Sequence, residues 1–243
     1  MHRTKVRVAT DALDANATIA AANRADFDRA GVKVVNLMSA PGAGKTTLLE
    51  RALGDGMTAG GSRPQTPVTP GRLEGVRVGV LEGDVQGSMD ADRLSVLHVP
   101  VTQLNTDNGF GGECPLDANM VRSALPEIDL DEIDMLLIEN VGNLVCPAEF
   151  RVGEDARAMV ASVAEGEDKP LKYPLMFRTC EFVVVNKIDL LPYVDFDMNR
   201  FLANLDSVNP GVEHALVSAR TGEGVERVQE WLAGVAAREA APA

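Results

Sequence analysis

The sequence predicts an α/β fold of three layers, in which a mostly parallel central sheet carries helices on both of its faces. Short apolar segments alternate along the chain with longer segments whose apolar residues recur at the spacing of one helix face. Several of the short segments end in acidic or glycine-rich residues, as strands do when their carboxyl ends border a binding site. An alternation of this kind is typical of helices packed over a parallel sheet.

Composition and charge limit the classes of function. A chain of 243 residues with 45% hydrophobic residues can form one large α/β domain or two small ones. The formal net charge of −13 argues against nucleic acid or an anionic membrane as the main partner. No apolar segment is long enough to span a bilayer, and the first residues lack the apolar stretch of a secretory signal. The three cysteines do not suggest a disulfide framework, so we expect a cytoplasmic protein.

The first element is an N-terminal helical segment, predicted over residues 1–31. Its Ala-rich amphipathic helix runs from about Asp11 to Ala30. The positions predicted to face inward are Leu13, Ile19, Ala20, Phe27 and Ala30. We expect one domain over residues 32–237, with a flexible insertion at about 55–75, where Gly, Pro, Thr and Ser concentrate. Residues 238–243 are expected to form a tail.

A strand, a glycine-containing turn and the start of a helix are predicted from Val34 to Thr47, which is the architecture of a phosphate-binding P-loop. Ser39 stands where the pattern GxxxxGK[ST] has its first glycine. Backbone N–H groups of the turn and the dipole of the following helix are expected to hold phosphate. Lys45 is expected to reach the outer phosphates and to act in catalysis, and the Thr46 hydroxyl to bind Mg²⁺. The predicted nucleotide-binding residues here are Gly42, Ala43, Gly44, Lys45, Thr46 and Thr47. The fold is therefore expected to be a P-loop NTPase sandwich.

Three further strands are predicted from Val76 to Leu81, from Val99 to Leu104 and from Asp134 to Gly142. Asp84 follows the first of them, and Glu139 lies near the end of the last. Because ligands of parallel sheets bind beyond the carboxyl ends of the strands, both carboxylates are expected to bind Mg²⁺ or its waters and to complete the catalytic set. The remaining predicted elements are strands from Phe182 to Val185 and from Ala215 to Val217, and helices from Thr46 to Leu53, Asp117 to Leu125, Asp197 to Leu205 and Gly224 to Ala236.

An Asn-Lys-Ile-Asp run follows the predicted strand that ends at Val185, where a guanine-reading loop would belong. An ionised carboxylate has only acceptors, so Asp189 is expected to take two hydrogen bonds from the N–H donors of guanine. The Lys187 stem is expected to lie along the base, and Asn186 to tie this loop to the P-loop. Backbone N–H groups of the following Ser-Ala pair are expected to reach the guanine carbonyl; the pair is Ser218 and Ala219. The expected ligand is GTP with Mg²⁺.

Several segments resemble HypB, the hydrogenase nickel-incorporation GTPases of the SIMIBI class. The similarity extends from about Asn16 to Leu232, and its most specific run is Glu-Asn-Val-Gly-Asn-Leu-Val-Cys-Pro. Serine is usual in this family at the first P-loop position, as at Ser39. The segments that carry the resemblance are Met38–Leu49, Glu82–Asp84, Asp90–Arg93, Ile138–Pro147, Asp168–Pro174 and Asn186–Val194.

The resemblance implies a GTPase that dimerises when GTP is bound and helps to deliver Ni²⁺ to the large subunit of a [NiFe]-hydrogenase. It also implies a HypA-like nickel-binding partner. The Asp168–Pro174 segment lies near the dimer interface in this family, so Lys169 or Lys172 is a candidate to reach the nucleotide of the other subunit. Neither a glutamine nor an arginine clearly completes the catalytic set in the sequence, so slow intrinsic GTP hydrolysis is expected.

The predicted transition-metal site departs from the family pattern. Cys114 and Cys146 occupy the family's cysteine positions, but Pro115 stands where the family has histidine. Thiolates suit Ni²⁺ or Zn²⁺, and the loss of an imidazole should weaken the site, although a dimer could place four sulfurs around one ion. The alternative is that both are ordinary buried thiols. Cys180 precedes a strand and is expected to be a core residue.

Two other functions are compatible with the sequence. One is a urease-type nickel GTPase similar to UreG, whose metal motif Cys-Pro-His is half matched by Cys114-Pro115-Leu116. The other is a nucleotide-dependent binding or scaffold protein that has lost metal delivery, as the missing histidine would allow. Metal titration of variants at Cys114 and Cys146 distinguishes this scaffold from a metallochaperone.

Overall fold

The computed structural model describes residues 8–54, 73, 75–84, 93–94, 99–106 and 116–239. The strands are β1 (Lys33–Ser39), β2 (Val78–Asp84), β3 (Val101–Asn105), β4 (Met135–Glu139), β5 (Ala156–Ser162), β6 (Phe182–Asn186) and β7 (Glu213–Leu216). They form one sheet in the order β3-β2-β4-β1-β5-β6-β7, and all neighbouring strands run parallel. The predicted α/β class with a parallel central sheet is confirmed.

Helices cover both faces of the sheet. They are α1 (Val8–Ala30), α2 (Lys45–Leu53), α3 (Ala118–Ala124), α4 (Cys146–Glu149), α5 (Lys169–Lys172), α6 (Pro174–Arg178), α7 (Met198–Val208) and α8 (Val225–Ala236). Short 3₁₀ turns lie at Leu125–Glu127, Leu130–Glu132, Val163–Glu165 and Ile188–Tyr193. Aspartate side chains cap α3 and α7, where Asp117 accepts from Met120 N and Asp197 from Arg200 N. None of the helices among the described residues has the length and apolar character needed to cross a bilayer.

The P-loop strand β1 lies at the centre of the sheet, between β4 and β5. Every residue of β4, β5 and β6 is buried, as expected for strands of a parallel sheet covered on both faces. Side chains of β1 alternate between the two layers. Val35 and Leu37 pack with Leu48 of α2 and Trp231 of α8, whereas Val34 packs with Phe27 of α1. This alternation produces the three layers.

Helix α1 packs along the sheet layer that also holds α3. Ala20 and Phe27 are buried as predicted, but Leu13 is exposed, with 40% of its surface accessible. Asn23, which the apolar pattern did not mark, is completely buried on the inward face. The inward face of α1 therefore combines apolar side chains with a polar one.

Strand β5 was not predicted. Its sequence, Ala-Arg-Ala-Met-Val-Ala-Ser, is interrupted by Arg157, which breaks the apolar pattern of a buried strand. Arg157 is nevertheless 2% exposed, because its guanidinium forms an ion pair with buried Glu154 and donates to the carbonyls of Ala148 and Phe150 at 3.0 and 2.9 Å. A buried arginine with this set of partners is compatible with a central strand.

Element boundaries also shift. β2 extends to Asp84, so Glu82 lies within the sheet and not beyond it, whereas β4 ends at Glu139. The insertion predicted at 55–75, apart from residues 73 and 75, and the last four residues of the predicted tail lie outside the described residues.

Candidate functional site

The turn between β1 and α2 requires its two glycines. Gly42 and Gly44 have φ values of +71° and +98°, in the region that L side chains rarely adopt. At Gly44 a Cβ would also lie 2.6 Å from the side-chain Nδ2 of Asn186. Glycine at this position therefore allows the loop after β6 to approach the P-loop directly.

Ser39 and Lys45 contact each other inside the P-loop. The Lys45 ammonium, in a residue only 9% exposed, donates to Ser39 Oγ at 2.8 Å, and that hydroxyl donates to Ala40 O at 2.6 Å. Serine at the first P-loop position thus supplies a hydrogen-bond acceptor for the lysine, which glycine could not.

Thr46 and Glu139 meet at the ends of α2 and β4. Thr46 Oγ1 donates to Glu139 Oε1 at 2.7 Å, and both side chains are buried. Thr47 lies on the other side of the helix start, and its hydroxyl accepts from Arg93 at 3.0 Å. A hydroxyl beside a carboxylate provides the hard oxygen donors that Mg²⁺ prefers, so these residues fit that ion.

The strand beside β4 carries two acidic residues near its carboxyl end. Asp84 is the last residue of β2, and its side chain lies outside the described residues. The sequence pattern predicts no role for Glu82. It is buried, and it is the register partner of Glu139, so the two side chains project from the same face of the sheet. The carboxyl ends of β2 and β4 therefore form an acidic region beside the P-loop.

Asn186 joins the loop after β6 to the P-loop, as the sequence predicts. Its Nδ2 donates to Ala43 O at 2.9 Å, and its Oδ1 accepts from the amides of Lys187 and Ala219 at 2.8 and 3.0 Å. Lys187 has φ = +64°, the one non-glycine residue with positive φ in the described ranges. Its ammonium donates to Gly42 O at 2.6 Å. Two adjacent side chains thus hold the P-loop, and the unusual backbone at Lys187 is part of that arrangement.

Asp189 and Ser218 lie at the end of this loop. Ser218 Oγ donates to Asp189 Oδ1 at 2.7 Å and accepts from Thr221 N at 3.1 Å, which orients the carboxylate. The backbone amides expected to reach a guanine carbonyl are differently engaged here. Ser218 N donates to Glu223 O at 2.9 Å, and Ala219 N donates to the Asn186 side chain. Both amides therefore donate within the protein, and their contact with a guanine carbonyl stays a prediction.

Glu165, in the turn after β5, is a residue that the sequence analysis missed. Both of its carboxylate oxygens are buried, and neither has a hydrogen bond of normal geometry within the described structure. Burial raises the pKa of this carboxyl above its ordinary value, while the charges of Lys169, Lys187 and Lys45 and the nearby Ser162 backbone oppose the shift. Nothing in the local sequence signals this environment, because the three lysines come from separate segments.

Leu116 connects the ends of β2 and β4. Its amide donates to the buried Asn140 Oδ1 at 2.9 Å, and Asn140 follows Glu139 directly. The Leu116 side chain packs so closely on Gly83 that a Cβ there would lie 2.8 Å from it. Gly83 immediately precedes Asp84. One residue therefore contacts the neighbours of both predicted magnesium carboxylates.

The predicted transition-metal site is only partly described. Cys114 and the side chain of Cys146 lie outside the described residues, and Cys146 is the first residue of α4. Cys180 is buried, as predicted, and burial raises the pKa of its thiol to about 12. Its Sγ donates to Met176 O at 3.1 Å. Among the side chains that are described, no group of three or more His, Cys, Asp or Glu residues could hold a metal ion.

Lys169 and Lys172, the two candidates for contacts across a dimer, are the first and last residues of α5. Lys172 forms an ion pair with Asp168 at 2.6 Å, and the Lys169 ammonium lies 5.3 Å from the centre of the Tyr173 ring. Hydrogen bonding to Asp168 raises the pKa of Lys172, so it remains charged. Both ammonium groups are held by contacts within their own short helical segment.

Comparison with known proteins places these features in a family context. A model of the family described as CobW/HypB/UreG, nucleotide-binding domain, matches residues 33–215. Hydrogenase maturation factor HypB of Escherichia coli K12 is 44% identical over 231 residues, which cover 95% of this chain and 72% of that protein. The probable HypB of Methanocaldococcus jannaschii is 37% identical over 225 residues, 93% of each chain.

Two solved structures are similar over most of their length. HypB from Helicobacter pylori in complex with nickel has a TM-score of 0.78 at 31% identity, covering 91% of this chain and 94% of that one. HypB from Archaeoglobus fulgidus has a TM-score of 0.75 at 32% identity, covering 92% and 99% respectively.

Proposed function

Because this chain belongs to the CobW/HypB/UreG family, and within it to the HypB hydrogenase maturation factors, we propose that it is a GTP-hydrolysing nickel metallochaperone. It binds GTP with Mg²⁺, dimerises in the GTP state and assists nickel insertion into a [NiFe]-hydrogenase together with a HypA-like partner. The proposal of nucleotide binding is supported best by the contact between two loops, in which Asn186 donates a hydrogen bond to the P-loop carbonyl of Ala43. That contact sets the distance between a phosphate site and a base site.

The phosphate end uses charge and fixed donors. The Lys45 ammonium exchanges its bond to Ser39 Oγ for an outer phosphate oxygen, and the turn amides at Gly42 and Gly44 donate to phosphate oxygens. Because Ser39 holds the ammonium near the turn beforehand, little side-chain ordering remains to be done on binding. Preorganised positive charge of this kind is most useful where negative charge develops during phosphoryl transfer.

The oxygen ligands at the ends of α2, β2 and β4 suit Mg²⁺. Thr46 Oγ1 and the Asp84 carboxylate would hold the ion, which would supply positive charge to neutralise phosphate oxygens. Glu139, which accepts a hydrogen bond from Thr46 at 2.7 Å, would accept from and orient the attacking water or a water near the ion. No covalent intermediate is needed, since the residues position the γ-phosphate and the water in line.

The base end selects guanine. The Asp189 carboxylate accepts from the ring and exocyclic N–H groups of guanine, while Ser218 Oγ keeps one carboxylate oxygen in place. Adenine presents no matching pair of donors, and such a mismatch leaves a charged acceptor unpaired. Lys187 covers the base with its stem because its ammonium is tied to Gly42 O.

Nucleotide state is transmitted to the metal-binding segments through the end of β4. Glu139 lies where it would sense the γ-phosphate, and the side chain of the next residue, Asn140, accepts a hydrogen bond from the amide of Leu116. Leu116 follows Cys114 by two residues, and Cys146 lies seven residues after Glu139. A change at the γ-phosphate therefore reaches both cysteines over a few covalent and hydrogen bonds. Nickel is the cargo of this site, bound by thiolate sulfur.

Calorimetric titration with GTP, ATP and XTP tests the nucleotide assignment. Wild type should prefer GTP, and Asp189→Asn should lose GTP affinity and gain XTP affinity, because the amide offers a donor to the xanthine carbonyl. Equal binding of ATP and GTP by wild type contradicts the assignment. Metal titration of Cys114→Ser and Cys146→Ser, with GDP and with a non-hydrolysable GTP analogue, tests the metallochaperone part. Wild type is titrated alongside them. Wild-type metal affinity in both serine variants contradicts metal binding by the cysteines, and identical wild-type affinities in the two nucleotide states contradict the nucleotide switch.

A further inference from the structure

Glu165 ends the short turn that follows β5, at the edge of the sheet where the candidate site lies. The turn Val163–Glu165 is held by Ser162, whose Oγ accepts from the amide in the middle of the turn at 3.2 Å. It packs against the turn Ile188–Tyr193, which carries Asp189. β5 itself lies between β1, which leads into the P-loop, and β6, which leads into the loop that selects the base. Glu165 therefore lies between the proposed phosphate and base ends of the site.

Three ammonium groups lie close enough to act on the Glu165 carboxylate. They belong to Lys169, Lys187 and Lys45, which come from separate parts of the chain. Lys45 and Lys187 donate instead to oxygen acceptors of the P-loop, at 2.8 and 2.6 Å. These two lysines are also the residues proposed to contact the phosphates and the base. The carboxylate is therefore placed beside the groups that would hold both ends of a nucleotide.

The Glu165 carboxylate lacks a hydrogen-bond donor within the described part of the chain. Both of its oxygens are buried, and neither has a hydrogen bond of normal geometry. Burial raises the pKa of Glu165 in spite of the three nearby ammonium groups, so their charges offset only part of the cost of burying it. A buried polar group without a partner destabilises a fold, and such groups are uncommon in folded proteins. A ligand that brings a donor to this position would remove the cost.

The chemistry of a guanine nucleotide identifies the part that suits this carboxylate. An ionised carboxylate only accepts hydrogen bonds, and phosphate groups would repel it. The N–H donors on the pairing edge of guanine are assigned to Asp189, so the remaining donors are the 2′ and 3′ hydroxyls of the ribose. The ribose joins the base to the phosphates, and it would therefore lie near the end of β5. A hydroxyl also suits the protonated form of Glu165, because it both donates and accepts.

We propose that Glu165 recognises the ribose of the bound guanine nucleotide by accepting a hydrogen bond from its hydroxyl groups. The inference rests on the proposed binding of GTP, and it adds a determinant of sugar specificity to the phosphate and base contacts. A site built around such a hydrogen bond rejects an analogue that lacks the donor, because the buried acceptor is then left unpaired. The protein should therefore prefer ribonucleotides to nucleotides without these hydroxyls.

Calorimetric titration of the full chain with GDP and with 2′,3′-dideoxy-GDP tests this role. Wild type should bind the dideoxy nucleotide about 10- to 100-fold more weakly, as expected for loss of a hydrogen bond to a charged group. Glu165→Ala should bind the two nucleotides equally. In Glu165→Gln, whose neutral carboxamide still accepts, the difference should shrink to roughly a few-fold. Glu167→Gln is the matched control and should keep the wild-type difference, because Glu167 lies in the same loop but pairs with Arg200 at 3.4 Å.

The ratio of the two dissociation constants separates sugar recognition from a structural role. If wild type binds GDP and dideoxy-GDP equally, or if Glu165→Ala weakens both by the same factor, Glu165 does not recognise the ribose, and guanine-nucleotide binding stands. If wild type binds neither nucleotide, the proposed function is itself wrong and this inference falls with it. Should Glu165→Ala fail to fold, Glu165→Gln carries the test, since it keeps the size of the side chain, and an unchanged ratio in that variant refutes the proposal.

Discussion

Gly44→Ala is expected to separate the phosphate end of the site from the base end. The new Cβ would lie 2.6 Å from Asn186 Nδ2, within a contact that the P-loop and the loop after β6 both need. Asn186 would have to move and release Ala43 O, which leaves buried polar groups unpaired at about 1–3 kcal/mol. The positive φ at this position adds about 1–2 kcal/mol for any L side chain.

Gly42→Ala provides the matched control for this change. Gly42 also has positive φ, at +71°, but nothing lies within 4 Å of a Cβ placed there. It should therefore lose only the backbone part, about 1–2 kcal/mol. The difference between the two variants, about 1–3 kcal/mol, isolates the contact with Asn186.

Urea unfolding and GDP titration measure the two effects. We expect a lower free energy of unfolding and weaker GDP binding for Gly44→Ala than for Gly42→Ala. In an Asn186→Ala background the obstacle is gone, so Gly44→Ala should cost less there, by about 1 kcal/mol. Equal losses for the two glycine variants, or strictly additive losses in the double variant, would refute the claim that Asn186 joins the two ends of the site.

Three other changes address separate parts of the site. Thr46→Ala should lower Mg²⁺-dependent GTP turnover about 10–100-fold, because it removes an oxygen ligand, whereas Thr46→Ser should remain near wild type. Equal turnover by Thr46→Ala and wild type would exclude Thr46 as that ligand. The folded-state pKa of Glu165 is raised above its ordinary value of 4.5, so its ionisation destabilises the fold as pH rises through and above that value. Glu165→Gln should then be more stable than wild type at pH 8, with the gain vanishing near pH 4 in pH-dependent urea unfolding. Cys180, with its thiol pKa raised to about 12, should resist iodoacetamide at pH 8 until the protein unfolds, and rapid labelling of Cys180 in the folded protein, located by peptide mapping, would contradict its burial.

The parts of the site that the sequence predicted are those carried by short local patterns. Lys45, Thr46 and Asn186 follow strands in arrangements whose chemistry is specific, and the approach of Asn186 to the P-loop follows from both loops lying at one edge of a parallel sheet. The strand ends could be predicted for the same reason. Their exact extents could not, since β2 continues through Glu82, a residue whose charge argues against a buried strand position.

Features that depend on partners distant in the chain were missed. Strand β5 was not predicted because it contains the charged Arg157, whose ion pair and carbonyl partners cannot be inferred from the local sequence. The amide of Ala219 also donates to the Asn186 side chain, a contact between two separate loops that no local pattern indicates. In the sequence, Asn23 interrupts the apolar face of an amphipathic helix, and its burial is explained only by its hydrogen bonds to two distant carbonyls. In each case a polar group became compatible with burial through a contact that no local rule describes.

Pro115 changes the ligand set without removing the link between the two sites. The family histidine would supply an imidazole nitrogen, and proline supplies none, so any metal site here depends more heavily on sulfur. The proposed connection to the nucleotide, however, uses the hydrogen bond from the Leu116 amide to Asn140 and the packing of Leu116 on Gly83. Neither contact involves the side chain at position 115. Under the proposed function, anchoring and ligation use different atoms, so we expect the missing imidazole to weaken metal binding without breaking the route from nucleotide to metal.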